Sequence, residues 1–220
     1  ADNGLVSQPV VAGYTVGGVI EPAVFTDDAM EDAIRTALNV SDAHIIYTNV
    51  LWGITEFVVP ENASSLADLA LMPYLENLTI TNQNLGTLTD LSSLNKLQTL
   101  NLSGCSLPAE ELEVLATLPS LKNLNLSSCG LSTIAGLEGA QGLTNLNLSS
   151  NTLRNLDVLT TMPNLTELNL KHNAVTGLNA LSSLANLETL DISYNAVSDL
   201  SPLAGCIKLN WLDAGSNDLN

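Results

Sequence analysis

The sequence has few aromatic residues, few basic residues and no long apolar run. Phe, Trp and Tyr make up 4% of the 220 residues, and 6 Lys and Arg stand against 23 Asp and Glu, which gives a formal charge of −17. Phosphate recognition requires clustered Lys and Arg, so neither nucleic acid nor an anionic membrane surface is an expected partner. No apolar stretch reaches the roughly 18 residues that span a bilayer, so direct membrane insertion is not expected.

Motifs of catalysis and cofactor binding are also missing. The sequence contains no phosphate-binding G-x-x-x-x-G-K-[ST], no H-E-x-x-H and no C-x-x-C. Its two histidines, His44 and His172, fall in different structural regions, and no Ser, His and acid combine into a supportable triad. We therefore predict a protein with no catalytic residue, no cofactor and no metal site.

Regularly spaced leucine is what the sequence has in abundance. The apolar positions of the stretch 143–164 are Leu143, Leu146, Leu148, Leu153, Leu156, Leu159 and Met162. The pattern returns 22 residues later from Leu165 and again from Leu187, and it is found earlier from Leu121 and Leu75. Tandem repetition with a period in the twenties is typical of a solenoid.

Each repeat predicts one coil of that solenoid. The alternating L-x-L core favours a short strand, and the later leucines step by three, which favours a 3₁₀-like or irregular return segment. No coil can bury its own leucines. Neighbouring coils must therefore stack, with their strands in one parallel sheet over a single elongated core.

The motif L-x-x-L-x-L-x-x-N-x-L, with L-x-x-L-x-x-L on the return side, resembles the leucine-rich repeat, and its 22-residue length resembles the internalin-like bacterial class. The resemblance implies an α/β solenoid, a curved right-handed coil with a parallel concave sheet and a mostly 3₁₀ or irregular convex side. It also implies that asparagines at the bend of each coil form a ladder of hydrogen bonds to the backbone. These are Asn62, Asn151, Asn173, Asn195 and Asn217.

The chain divides into three predicted regions. Residues 1–24 are interpreted as a lead-in or linker, in which part of 10–20 is apolar enough for an edge strand. Residues 25–53 resemble the helical N-terminal cap of internalin-like proteins, and Thr26 is the expected N-cap of the helix. The acids that follow Thr26 are better explained by the helix dipole than by a metal site. Residues 54–220 hold about seven full coils and a truncated last one, so we expect the natural chain to continue.

Two local departures from the repeat carry their own predictions. The segment 108–120 opens with Pro108 followed by acids and is predicted to form a true α-helix on the convex side. Cys105 and Cys129 occupy the Asn position of adjacent coils, while Cys206 replaces a core leucine. Three buried thiols are the simpler interpretation; a Cys105–Cys129 bridge is the alternative, which parallel side-chain directions disfavour.

The outward face of the predicted sheet is small and polar in its middle and changes toward the C-terminal coils. The candidate ligand-binding residues there are Glu167, Lys171, His172, Tyr194 and Trp211. His172 and Tyr194 share a column in adjacent coils, so their rings are expected roughly 5 Å apart and able to stack. Exposed Tyr and Trp dominate interface energetics. The alternative is that Trp211 only leans on its neighbours and binds nothing.

These features predict a non-catalytic module that binds another protein through its concave face. The resemblance and the acidic surface, rich in Asn, Ser and Thr, indicate a secreted or cell-surface bacterial protein, so the expected location is extracellular. Two alternatives remain open: a structural spacer within a larger surface protein, and a glycan-binding adhesin.

Overall fold

A computed structural model describes residues 20–219, which contain three short α-helices and one sheet of eight three-residue strands. The helices are α1 (Asp28–Leu38), α2 (Thr48–Leu51) and α3 (Leu112–Ala116). The strands are β1 (Glu56–Val58), β2 (Asn77–Thr79), β3 (Thr99–Asn101), β4 (Asn123–Asn125), β5 (Asn145–Asn147), β6 (Glu167–Asn169), β7 (Thr189–Asp191) and β8 (Trp211–Asp213).

The sheet is parallel throughout, and its strands lie in chain order from β1 to β8. Every neighbouring pair aligns the same three positions, so the central residue of each strand stands beside the central residue of the next. From β1 to β7 that central residue is buried, while its two neighbours face outward. The predicted solenoid with a continuous parallel sheet is confirmed.

The return side of most coils is a five-residue 3₁₀ turn, which confirms the interpretation of leucines spaced by three. The turns are Ala67–Leu71, Thr89–Ser93, Asp157–Thr161, Asn179–Ser183 and Ser201–Gly205. The longer coil differs as predicted: a 3₁₀ turn at Ala109–Glu111 leads into α3. Gly136 of the next coil, at φ 101°, lies against α3, where an added Cβ would stand 3.1 Å from the Glu113 amide nitrogen.

The repeat leucines form one elongated core, and all three cysteines belong to it as free thiols. The interpretation as buried thiols is therefore confirmed, and the Cys105–Cys129 bridge is not formed. Burial raises the pKa of Cys129 to about 11, with the neighbouring Cys105 adding to the effect. Burial also raises the pKa of Cys105 and of Cys206.

The N-terminal cap covers the first coil with α1, whose Met30 and Ile34 are buried. The prediction of Thr26 as N-cap is wrong by one residue: Asp27 caps the helix by accepting a hydrogen bond from the Met30 amide. The helix ends at Asn39 in the left-handed conformation, φ 55°.

Part of the predicted lead-in also packs on this cap. Pro22 forms an antiparallel bridge with Tyr47, flanked by hydrogen bonds from the Ala23 amide to the Ile46 carbonyl and from the Thr48 amide to the Glu21 carbonyl. The predicted edge strand at 10–20 lies almost wholly outside the described residues.

Two buried carboxylates fasten the cap to the first coil, and we call this pair the clasp. Asp68, 2% exposed, accepts hydrogen bonds from the amide and hydroxyl of Thr26 and from the Asp27 amide. Asp27, 5% exposed, accepts from the amide and hydroxyl of Ser64 and from the Ser65 amide. The Ser64 hydroxyl, helped by these amides, holds the pKa of Asp27 below its usual value against the effect of burial.

Candidate binding face

Where each strand ends and the chain turns toward the convex side, one residue per coil bonds the backbone of its neighbours; we call this the bend row. Asn173 shows the full pattern: its Nδ2 donates to the carbonyls of Leu148 and Leu170, and its Oδ1 accepts from the Leu153 amide. The other asparagines that bond in this way are Asn151, Asn195 and Asn217.

The bend row has different members in the first coils. Cys129 and Cys105 donate their thiols to the carbonyls of Leu102 and Ile80, and Gln83 donates its amide to the Pro60 carbonyl. Asn62 was predicted as a ladder residue, but its side chain is exposed and forms no hydrogen bond within residues 20–219. Gln83 of the next coil bonds the backbone of the first coil instead. The prediction of Asn62 as a ladder residue is therefore wrong, and Asn62 is a surface residue.

A second row runs along the concave face, at the last residue of each strand from β3 to β8; we call it the concave row. In each case the side-chain Oδ1 accepts a hydrogen bond from the backbone amide two residues later, which is an Asx turn that leads the chain out of the strand. The members are Asn101, Asn125, Asn147, Asn169, Asp191 and Asp213. Asn and Asp form this turn equally well, so the turn does not determine whether the residue at this position is charged or neutral.

A third row, the turn row, holds a residue in the left-handed conformation at the same position of seven successive coils. Its members are Asn82, Gly104, Ser128, Ser150, His172, Tyr194 and Ser216, with φ between 54° and 72°. The conformation favours Gly, Asn and other small residues and is unusual for a bulky one. Nothing in the local backbone therefore favours an aromatic ring at Tyr194 over the serine found in three other coils.

The two large members of the turn row contact each other at the edge of the sheet. The rings of His172 and Tyr194 stack with centroids 4.1 Å apart and planes 26° apart, so the predicted stacking is confirmed. The Lys171 ammonium lies 5.3 Å from the centre of the Tyr194 ring, within cation–π range. We call these three residues the edge cluster; Tyr194 stays 49% exposed.

Glu167 and Trp211 lie apart from the edge cluster, at the opposite ends of their strands. Both line a hollow on the concave face with a volume of about 570 Å³, which we call the concave pocket. Trp211 is 49% exposed there, at the first position of β8. The structure thus divides the five predicted residues into two groups, the concave pocket and the edge cluster.

Sequence reasoning missed part of this arrangement. The turn row was not identified, although Asn82, Gly104 and three serines at equivalent positions are a recognisable left-handed signal. The concave row was taken only as outward-facing polarity, and its Asx turns were not foreseen. The extra carboxylate in the concave pocket, Asp191, follows from the register of β6 and β7.

No group of three or more His, Cys, Asp or Glu side chains within residues 20–219 is placed to hold a metal ion. None of the helices found in that range has the length and apolarity to cross a membrane.

Comparison with known families matches the leucine-rich repeat in two parts of the chain. A model described as Leucine Rich Repeat matches residues 96–118, and one described as Leucine Rich repeats (2 copies) matches residues 163–205. No curated protein sequence matches significantly.

Several solved structures share the fold. Internalin C2 from Listeria monocytogenes is 29% identical, with a TM-score of 0.79 over 90% of this chain and 87% of that one. An internalin F from the same species is 23% identical, with a TM-score of 0.58 over 90% of this chain and 72% of that one. A leucine-rich repeat protein of Leptospira interrogans is 28% identical, with a TM-score of 0.63 over 70% and 40% of the two chains.

Proposed function

We propose that this chain, a leucine-rich repeat protein of the internalin-like class, is a non-catalytic module that binds another protein through its concave face. The proposed contact area is the concave pocket together with the edge cluster. The likeness to internalins of Listeria monocytogenes supports a bacterial protein that acts outside the cell, secreted or attached to the surface.

The observation that carries this proposal is the placement of exposed aromatic side chains in the last coils. The outward positions of β2 to β5 hold only Asn and Thr. From β6 onward the same face and its edge carry Trp211 and the stacked pair of His172 and Tyr194. Half-exposed Trp and Tyr side chains are the usual anchors of protein interfaces.

A glycan-binding adhesin is the second candidate, and the composition of the concave pocket favours it. Asparagine side chains and one tryptophan line the pocket, and sugars use both amide hydrogen bonds and aromatic faces. A structural spacer is the third candidate, but it gives no reason for aromatic residues at these positions.

The test is capture from a mixture of surface proteins and a glycan panel, with a variant whose new residues come from the repeat itself. The changes Lys171→Ser, His172→Ser and Tyr194→Ser introduce the serine of the preceding coils, and Trp211→Thr introduces the Thr189 of the neighbouring strand. These residues already fit the backbone, so we expect the variant to fold. The matched control changes two exposed residues elsewhere, Ile45→Ser and Lys96→Ser.

The expected result is a protein held by the parent and the control but lost by the variant. Equal capture by all three would contradict the assignment of these residues. If free sugars compete with the captured ligand, the glycan-binding function is favoured over protein binding. If the parent captures nothing, the structural spacer is favoured.

A further inference from the structure

We infer that the concave pocket receives a positively charged side chain, arginine or lysine, from the protein that binds there. The inference rests on the proposed function, since it names the chemistry of the partner at the same face. The register of the last three strands, two carboxylates without a counterion and the Trp211 indole support it.

The register brings two carboxylates and an indole into one hollow. Glu167 of β6 stands beside Thr189 of β7, which stands beside Trp211 of β8. Asp191 lies two residues after Thr189 on the same strand and therefore on the same outward face. Strands are spaced about 4.8 Å apart, which places Glu167 and Trp211 roughly 10 Å from each other across the pocket.

Charge in the concave pocket has one sign. Glu167 and Asp191 line it, and no Lys, Arg or His does. The equivalent positions of β2 to β5 are Asn or Thr, and the other acid at a first strand position, Glu56 of β1, lies at the opposite end of the sheet. The fold accepts either Asn or Asp in the concave row, which means that backbone geometry does not explain the acid at Asp191.

These carboxylates are not neutralised within the described part of the chain. The salt bridge found there joins Glu31 to Arg35 in the cap, far from the pocket in sequence and in fold. The Glu167 carboxylate accepts no hydrogen bond among residues 20–219, and the Asp191 carboxylate accepts only through Oδ1, from the amide and hydroxyl of Ser193. Lys171 lies two residues after the end of β6, and its ammonium lies over the Tyr194 ring.

A cationic side chain satisfies every group in this arrangement. A guanidinium or ammonium group pairs with carboxylates and is attracted to the face of an indole, and a recessed surface strengthens both effects by excluding water. Arginine suits the site best because its planar group can bond a carboxylate while it stacks on Trp211. A neutral sugar would use the indole and the amides but would bring no positive charge to balance the two carboxylates.

The test selects peptides from a random library displayed on phage, with the whole chain as bait, and then measures binding of synthetic copies. The key variant is Glu167→Asn with Asp191→Asn, which introduces the asparagines of Asn145 and Asn169 in the same registers. The control variant, Glu110→Gln with Glu113→Gln, removes the same charge from the exposed convex side. Each selected peptide is also made with every arginine replaced by citrulline and every lysine by norleucine.

We expect the parent to select peptides with arginine or lysine, and the key variant to bind them about tenfold more weakly than the control does. We expect the parent to bind the neutral peptides about tenfold more weakly, and to bind the original peptides about tenfold more weakly in about 0.5 M NaCl. Peptides that bind without basic residues, or equally well to the key variant, would overturn the cationic partner and leave protein binding standing. Selection of no peptide, with binding of oligosaccharides instead, would overturn both.

Discussion

At the scale of single residues, Asn173 supplies hydrogen bonds that an apolar side chain of similar size cannot. Its side chain donates to three carbonyls and accepts from one backbone amide at the bend between coils. Asn173→Leu leaves these groups unpaired, and we expect a loss of about 2–3 kcal/mol in the free energy of unfolding. Asn173→Cys keeps a donor, as Cys129 does in its own coil, and should cost about 1 kcal/mol.

Thermal and urea unfolding measure the stability of the Asn173→Leu and Asn173→Cys variants against the parent. Asn164→Ala is the control, since that exposed side chain donates a single hydrogen bond to the Gln141 carbonyl. Equal stability of the Leu variant and the parent would show that the bend row contributes little.

The buried thiols give a second prediction for individual residues. Because burial raises the pKa of Cys129 to about 11, its thiolate is scarce at neutral pH, and we expect no reaction with a thiol reagent until the protein unfolds. The folded pKa lies above the unfolded value of about 8.5. Stability from this group is therefore complete below about pH 8.5 and is lost as the pH rises toward 11.

Two measurements check this statement. A colorimetric thiol assay should detect three thiols in denaturant and none in the native protein. Unfolding followed at alkaline pH should show the loss, which Cys129→Ala should reduce; rapid reaction of the native thiols would contradict the burial.

Between elements, the close stacking of neighbouring 3₁₀ turns makes one glycine necessary. A methyl group at Gly205 would overlap the carbonyl oxygen of Ser182 in the preceding turn. Gly205→Ala should therefore destabilise the last coils by about 1–3 kcal/mol, because the two turns must separate. Gly177→Ala is the matched control, since an added Cβ there meets nothing within 4 Å. Urea unfolding compares them, and equal effects would refute the argument.

The clasp between the cap and the first coil predicts sensitivity to acid. The pKa of Asp27 is lowered in the folded state, so its contribution is present above the unfolded value of about 3.9 and is lost as the pH falls through the folded pKa. Asp27→Asn keeps a capping side chain but removes the carboxylate, and we expect a loss of about 1–3 kcal/mol at neutral pH with a weaker dependence on acid.

The neighbouring Asp28→Asn is the control for the clasp, because Asp28 is exposed in the first turn of the same helix. Melting temperatures measured from neutral pH downward separate the two variants. If Asp27→Asn and the parent lose stability in parallel as the pH falls, the clasp is not the acid-sensitive element.

The clasp also marks the limit of prediction from the sequence. The spacing of leucines was sufficient to predict the coils and the return turns, and Pro108 with the acids after it was sufficient for α3, because each of these elements depends on residues close in the chain. The stack of His172 on Tyr194 followed as well, because the repeat fixes which residues share a column. The contact of Asp68 with Thr26 joins residues 42 apart that no periodic pattern relates. The prediction for Asn62 was wrong because the backbone of the first coil accepts its hydrogen bond from Gln83 of the next coil.

For the whole molecule, the formal charge of −17 implies repulsion that salt should screen. One salt bridge is present within residues 20–219, so screening removes little attraction. We expect the melting temperature to rise as NaCl increases from low concentration to about 0.5 M and then to level off. A melting temperature that falls over this range would contradict the dominance of repulsion.

The constant register of the sheet also makes the solenoid a ruler with discrete steps. From β3 to β4 the chain advances 24 residues and from β4 to β5 it advances 22, yet both pairs align the same three positions, since the extra length lies on the convex side with α3. Removal or duplication of a whole coil would keep every strand paired. It would shift the concave pocket relative to the cap by one strand spacing, about 4.8 Å. The number of coils thereby sets the distance between the cap and the concave pocket.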